Sequence, residues 1–157
     1  MSFTFQQQAT PASITTTTSG TATFANAPQS GELVVAVLAI NSSTATITPP
    51  TGFVAKNEYK NTSRTLGIYW KKVGAGESTG FTFNFSASVS STIIMRRYSS
   101  SIGWDTDQSG GATDKVWDST GTVSQVSLNL TTTLNRLVVG IGYASDTSAS
   151  NKQLNPN

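Results

Sequence analysis

Short runs with a period of two, separated by turn residues, most restrict what this chain can fold into. Phe81, Phe83 and Phe85 alternate with polar residues, and helical periodicity is hard to find elsewhere in the sequence. Alternate side chains of a strand point to the same face, so this run predicts a strand with one buried face. Burying one phenylalanine contributes about 2–3 kcal/mol, and we expect the triplet to anchor the core.

Similar runs occur along the whole chain. Gly20 is expected to break an early β-branched stretch into two parts. Further strands are predicted at residues 12–18, 21–25, 33–40, 53–59, 64–73, 92–99, 122–130 and 137–144. About nine short strands without intervening helices favour antiparallel pairing, because parallel strands need long crossovers. We predict an all-β fold, an antiparallel β-sandwich of the jelly-roll or Greek-key type.

The stretch 33–40, LVVAVLAI, is the strongest strand signal and is apolar at every position. A strand that is apolar on both faces is typical of a central position in a sheet whose two faces are both covered. The second cover can be a subunit interface or a loop. In the stretch 64–73, Leu66, Ile68 and Trp70 share one face, and Trp70 is predicted to lie in the core.

The length of 157 residues predicts a single domain over residues 1–157. Within it, residues 1–10 can form an extended N-terminal arm and residues 145–157 a loose C-terminal tail. The start of the chain shows no signal-peptide pattern, which predicts synthesis in the cytoplasm. The longest apolar run, 33–40, is too short to span a membrane, so no membrane partner is expected.

Charged residues make up only 11% of the chain, and the formal net charge is +2. Nucleic-acid binding needs clustered cations, so no nucleic-acid partner is predicted. Lys71 and Lys72 are adjacent in a predicted strand, as are Arg96 and Arg97, and each pair is expected to point to opposite faces. A neutral, hydroxyl-rich surface suits a protein that packs against neighbours or acts outside the cell.

Histidine and cysteine are both absent from the sequence. Their absence removes the commonest general base, common metal ligands and the thiol nucleophile, so we predict no enzyme, no catalytic residue and no cofactor. The least supported alternative is a glycan hydrolase in which Glu77 meets Asp105 or Asp107. Otherwise Glu77 is expected to cap a turn.

An acidic loop around residues 104–114 carries the one metal-like pattern. Asp105, Asp107 and Ser109 occupy the first, third and fifth places of a calcium-loop pattern, and Asp114 can supply another oxygen. The twelfth place is Val116 instead of glutamate. Two interpretations stay open: a calcium site, or a loop whose Asp and Ser side chains cap their own backbone.

Trp104 and Trp117 flank this loop. Exposed tryptophans at these positions can stack on sugar rings and thereby form a glycan contact. The alternative is that both fill a core or an interface, since large aromatic side chains are usually mostly buried.

The order of several sequence blocks resembles a pattern of tailed-phage virion proteins and related bacterial surface modules. The blocks are GELVVAVLAI, PPTGF, LGIYWKKVGAGEST and GFTFNFSASVSSTIIMRRYSS, and the resemblance covers residues 30–101 well and 128–144 loosely. Phe53 stands where the family has Trp, Ser78 where it has Pro, and Ser100 where it has Gly. These departures affect loop detail more than fold.

The resemblance implies a non-catalytic virion structural protein, specifically a capsid decoration or cement protein. Its expected partners are the major capsid protein or other virion subunits, with a homo-oligomer, preferably a trimer, as the working form. Its expected location is the virion after synthesis in the host cytoplasm. Either the sandwich is complete with few strands, or a neighbouring subunit supplies a missing edge.

The alternative function is a carbohydrate- or receptor-binding module of a tail fibre or of a surface or secreted protein. Exposed Trp104 and Trp117 beside a groove would favour this alternative. A flat apolar face around Val34, Ala36 and Leu38 would favour the virion function.

Overall fold

The structure, a computed structural model, describes residues 3–60 and 62–101. Within these ranges the chain has no helix and forms one open antiparallel sheet of seven strands. The strands are β1 (Phe3–Gln8), β2 (Ala12–Thr23), β3 (Leu33–Ile40), β4 (Ile47–Thr48), β5 (Val54–Lys60), β6 (Thr65–Lys72) and β7 (Gly80–Ser100). The predictions of an all-β chain and of antiparallel pairing are confirmed. The strands predicted at 122–130 and 137–144, and the predicted tail at 145–157, lie outside the described residues.

Strand β7 is 21 residues long and holds the sheet together. Its second half pairs with β3 on one side and with β1 and the start of β2 on the other, whereas its first half pairs with the rest of β2 and with β4. The prediction of two separate strands, at 81–85 and 92–99, was therefore wrong. The linking residues 86–91, SASVSS, contain no Gly, Pro, Asn or Asp, and serine favours a turn only weakly.

Strands β1 and β2 follow one another along the same side of β7, so the residues predicted as an N-terminal arm contribute to the sheet. The expected break at Gly20 was wrong, because β2 runs through it. A Cβ at Gly20 would lie 2.7 Å from the Cδ1 atoms of both Ile14 and Ile93. Glycine is therefore present because space is short and not because the chain turns.

The sheet coils, so that the first half of β7 lies over β6 and the start of β5. The rings of Phe83 and Tyr69 are 5.5 Å apart between centroids, and those of Phe81 and Phe53 are 5.3 Å apart. A β-bridge joins Thr10, which lies between β1 and β2, to Thr23 at the end of β2, and the Thr10 N–H donates to the Thr23 carbonyl at 3.0 Å. The core lies inside this coil.

The core contains Phe81, Phe83 and Phe85, as predicted. In β6, however, the core residue is Tyr69, and Trp70 is only partly buried. The placement of Trp70 in the core was therefore wrong, although it does share a face with Leu66 and Ile68 as expected. The more apolar face of β6 thus points away from the core, whereas its inward face carries Thr65, Gly67 and Tyr69, and the Tyr69 ring packs there against Phe83.

We expect Phe83→Ala to lower the free energy of unfolding by about 3–5 kcal/mol, because it removes a fully buried ring and leaves a cavity. The matched control is Asn84→Ala, whose side chain is exposed on the same strand and should change stability by less than about 0.5 kcal/mol. Urea unfolding followed by circular dichroism measures both. Equal effects of the two substitutions would contradict the placement of the core.

Candidate interaction surfaces

The face of the sheet that points away from the core is mainly apolar over β5, β6, β3 and the second half of β7, with Lys72 and Arg96 as charged members. Register places Val35 between Trp70 and Arg96, and Val37 between Ile68 and Ile94, so these side chains form continuous rows. We call this surface the outer face. Its apolar members are Leu33, Val35, Val37, Ala39, Val54, Leu66, Ile68, Trp70 and Ile94.

The outer face differs from the rest of the sheet surface. On the first half of β7, Thr82, Asn84 and Ser86 cover the side opposite the core, which is the usual hydrated arrangement. On the outer face, Val54 is 48% exposed and Ile94 is 38% exposed. Contiguous exposed apolar patches mark sites where something else binds. Among the described residues, none covers this face.

Strand β3 is central in the sheet, between β6 and β7, as its sequence predicts. A flat apolar face around Val34, Ala36 and Leu38 would have favoured the virion function, but these three side chains are fully buried in the core and form no such surface. The alternate residues Val35 and Val37 form the partly exposed side instead. Both sets are apolar, so the sequence of β3 alone does not reveal which set points inward.

A second surface is the N-terminal edge, formed by β1 and β2. No charged side chain precedes Glu32 in the sequence, so the whole edge is neutral. Among the described residues, both strands pair with β7 on one side, and only Thr23 has a further bridge, to Thr10. Natural sheets usually protect such edges with charges, proline or bulges. Here the protection consists of Pro11, a bulge near Thr16, whose φ is 49°, and further register shifts between Phe5 and Gln7 and between Thr17 and Ser19.

The opposite edge of the sheet is β5, and it is protected differently. Lys56, Glu58 and Lys60 give it three charged side chains within seven residues. Charges on an edge strand disfavour pairing with another chain, because pairing would desolvate them. The two edges of the sheet are therefore unequal, and the N-terminal edge is the better site for adding a strand.

A buried ion pair fixes the loop before β3. Arg97 Nη1 donates to Glu32 Oε2 at 3.0 Å and to the carbonyl of Ala27 at 3.0 Å, and the Glu32 carboxylate also accepts the Gln29 N–H. Arg96 points to the other side and is exposed, which confirms the prediction for this pair. The Arg97 guanidinium is therefore used in holding the loop to β7.

A second ion pair involves Glu77. Lys71 Nζ lies 2.7 Å from Glu77 Oε1 and donates to the Thr51 carbonyl at 3.0 Å. The ammonium also lies 5.7 Å from the centroid of the Phe81 ring, within range of a cation–π interaction. Lys72 is exposed on the opposite side, as predicted. Glu77 thus binds a lysine, whereas its predicted role was to cap a turn.

Tyr69 combines a buried ring with a polar end. Its hydroxyl donates to Glu58 Oε1 on the neighbouring strand β5. Burial raises the pKa of Tyr69 well above its usual value of 10.0, and the hydrogen bond to Glu58 and the negative charge of Glu58 raise it further. The neutral form of Tyr69 is therefore strongly favoured in the folded protein.

The loop residues considered as ligands all lie outside the described residues. They are Asp105, Asp107, Ser109 and Asp114 for calcium, and Trp104 and Trp117 for a glycan. The contact of Glu77 with Asp105 or Asp107 that a glycan hydrolase would need also involves residues outside the described ranges. Within residues 3–60 and 62–101, no cluster of three or more Asp or Glu side chains is placed to hold a metal ion. In the same ranges, no helix is long and apolar enough to cross a membrane.

Comparison of the chain with models of protein families, with curated proteins and with solved structures gives no match in any of the three. The surfaces described above are therefore the basis for a functional proposal.

Tyr69→Phe should change how stability depends on pH. Because folding raises the pKa of Tyr69, the contribution of its neutral hydroxyl is complete below about pH 10 and is lost as the pH rises further. Above about pH 10, the free energy of unfolding of the wild type should therefore fall more steeply than that of Tyr69→Phe, by about 1.4 kcal/mol per pH unit. Urea unfolding at several pH values from 8 to 11 measures the difference. Parallel pH curves for the two proteins would exclude a buried, protonated Tyr69.

Proposed function

We propose that the protein is a non-catalytic virion structural protein of a tailed phage, specifically a capsid decoration or cement protein that binds and stabilises neighbouring capsid subunits. The observation that carries this proposal is the neutral N-terminal edge. It is supported by the resemblance of residues 30–101 to the virion pattern and by the low content of charged residues.

The N-terminal edge is suited to accept a strand from a neighbouring molecule. Its backbone groups can hydrogen-bond to such a strand, and its exposed side chains, including Thr15 and Thr18, carry no charge that would oppose contact. Threonine is also favoured in strands, and beyond the bulges around Thr16 the end of β2, from Ser19 to Thr23, pairs with β7 in regular register. Association through this edge would bind subunits together without any chemical reaction.

A homo-oligomer, with a trimer favoured, is the form we propose for association through this edge. The opposite edge, β5, is charged and therefore unsuited to pairing. The subunits can then associate through two N-terminal edges, or through one N-terminal edge and another neutral surface. When one surface binds a different surface on the next subunit, the result is a closed ring if the rotation between subunits closes and an open filament if it does not, and threefold closure gives a trimer. The major capsid protein or other virion subunits would then bind the assembled ring.

We also propose that the complete fold is a β-sandwich of the jelly-roll type. The coiling of the sheet supports this, since it already places the first half of β7 over β6. Trp104 and Trp117, on which the alternative of a carbohydrate- or receptor-binding module depends, lie outside the described residues. No described residue favours that alternative.

A lysine on the N-terminal edge should weaken self-association. Thr15→Lys and, separately, Thr18→Lys would place a charge where a neighbouring strand pairs, and we expect the dissociation constant to rise at least about tenfold. Sedimentation velocity over a range of concentrations measures this. The matched control, Ala55→Lys, adds the same charge to the exposed surface of β5 and should associate like the wild type. A wild type that is monomeric at all concentrations would contradict the proposal.

The location on particles needs a separate experiment. An antibody against this chain should label the outside of purified phage particles in electron micrographs, and mass spectrometry should find the chain among the virion proteins. Removal of the chain should lower the temperature at which the particles release their DNA. Finding the chain only in the fraction without particles would overturn the assignment to the virion, whatever its oligomeric state.

A further inference from the structure

We infer that the outer face is covered by residues 122–144 of the same chain. The face is apolar in four neighbouring strands and has no cover among the described residues, as shown above. This inference concerns a different surface from the N-terminal edge, so it does not depend on the proposed virion function.

The sequence of residues 122–144 is suited to this role. It carries a single charged side chain, Arg136, so burying it against an apolar face would desolvate little charge. Its period-two pattern places Leu137, Val139, Ile141 and Tyr143 on one side of a predicted strand. The other side carries smaller residues. The larger side complements the apolar rows of the outer face.

Lengths and connections also agree. The predicted strand 137–144 has eight residues, the same number as β3 and β6 beneath it. The described chain ends at Ser101, directly after β7, which forms part of the outer face. The twenty residues from 102 to 121 can span up to about 66 Å when extended, which is ample for the chain to return across the face.

A second copy of the protein is the main competing occupant. A segment of the same chain has the advantage of a high effective concentration, since it is tethered to the sheet by a short connection. It therefore covers the face at any protein concentration, whereas a second copy would leave on dilution. This difference separates the two occupants experimentally.

The natural chain has no cysteine, so one introduced thiol reports on one position. The probe is Ile94→Cys on the outer face, with Asn84→Cys as the exposed control and Ala36→Cys as the buried control. Each full-length variant is treated with an aromatic disulfide reagent at two or more protein concentrations. We expect Ile94→Cys to react at least about 100-fold more slowly than Asn84→Cys at every concentration, because reaction would require the segment to open.

Val139→Asp tests whether the segment provides the protection. In this background, Ile94→Cys should react at a rate close to that of Asn84→Cys, while Ala36→Cys stays slow and so shows that the core remains folded. Fast reaction of Ile94→Cys in the otherwise natural chain would overturn the inference, as would protection that disappears on dilution, which indicates a second copy.

Cross-linking provides an independent check. Ile94→Cys is combined in turn with a cysteine at position 137, 139, 141 or 143, and the thiols are oxidised. At least one combination should form a disulfide within one chain, seen as a monomer with altered mobility on a denaturing gel. Cross-linked dimers in every productive combination would place a neighbouring copy on the outer face and contradict the inference.

Discussion

The fold depends on one strand that uses both of its sides. Strand β7 pairs with four other strands, and its two halves belong to different parts of the coiled sheet. Its alternating pattern continues through both halves, so Phe83 and Met95 point into the same core although they lie twelve residues apart. A break in β7 would separate β4 from the rest of the sheet and leave β2 as the strand that joins the two halves.

Much of the fold could be predicted from the sequence, because the period of two is a local signal. The extent of β3 follows from its continuous apolar run, and the buried triplet around Phe83 follows from alternation. The continuity of β7 and the passage of β2 through Gly20 could not be predicted, since both depend on partners that are distant in sequence. For the same reason, the choice of Tyr69 over Trp70 as the core residue became visible only when Phe83 was placed beside it.

The candidate surfaces were only partly predictable. The apolar sequence of β3 indicates that two covers are needed, and the structure shows one of them, the core. The neutral N-terminal edge is readable as a lack of charge, but its position at an edge depends on topology. The ion pairs Glu32–Arg97 and Lys71–Glu77 were missed, because no local pattern connects residues 65 positions apart in the first case. Together these features describe a sheet with internal charge pairs, an uncharged edge and a mainly apolar outer face.

The pairing of the N-terminal edge with β7 also sets an order of events during synthesis. The hydroxyls of Thr21 and Thr82 are hydrogen-bonded although 61 positions separate them. At ribosomal rates of roughly 5–20 residues per second, β2 leaves the ribosome several seconds before its partner exists. During this interval its threonines keep it hydrated, because their hydroxyls bind water where valine or isoleucine would promote aggregation. The hydroxyl-rich composition thus makes β2 less prone to aggregate before its partner is made than a strand rich in valine and isoleucine would be.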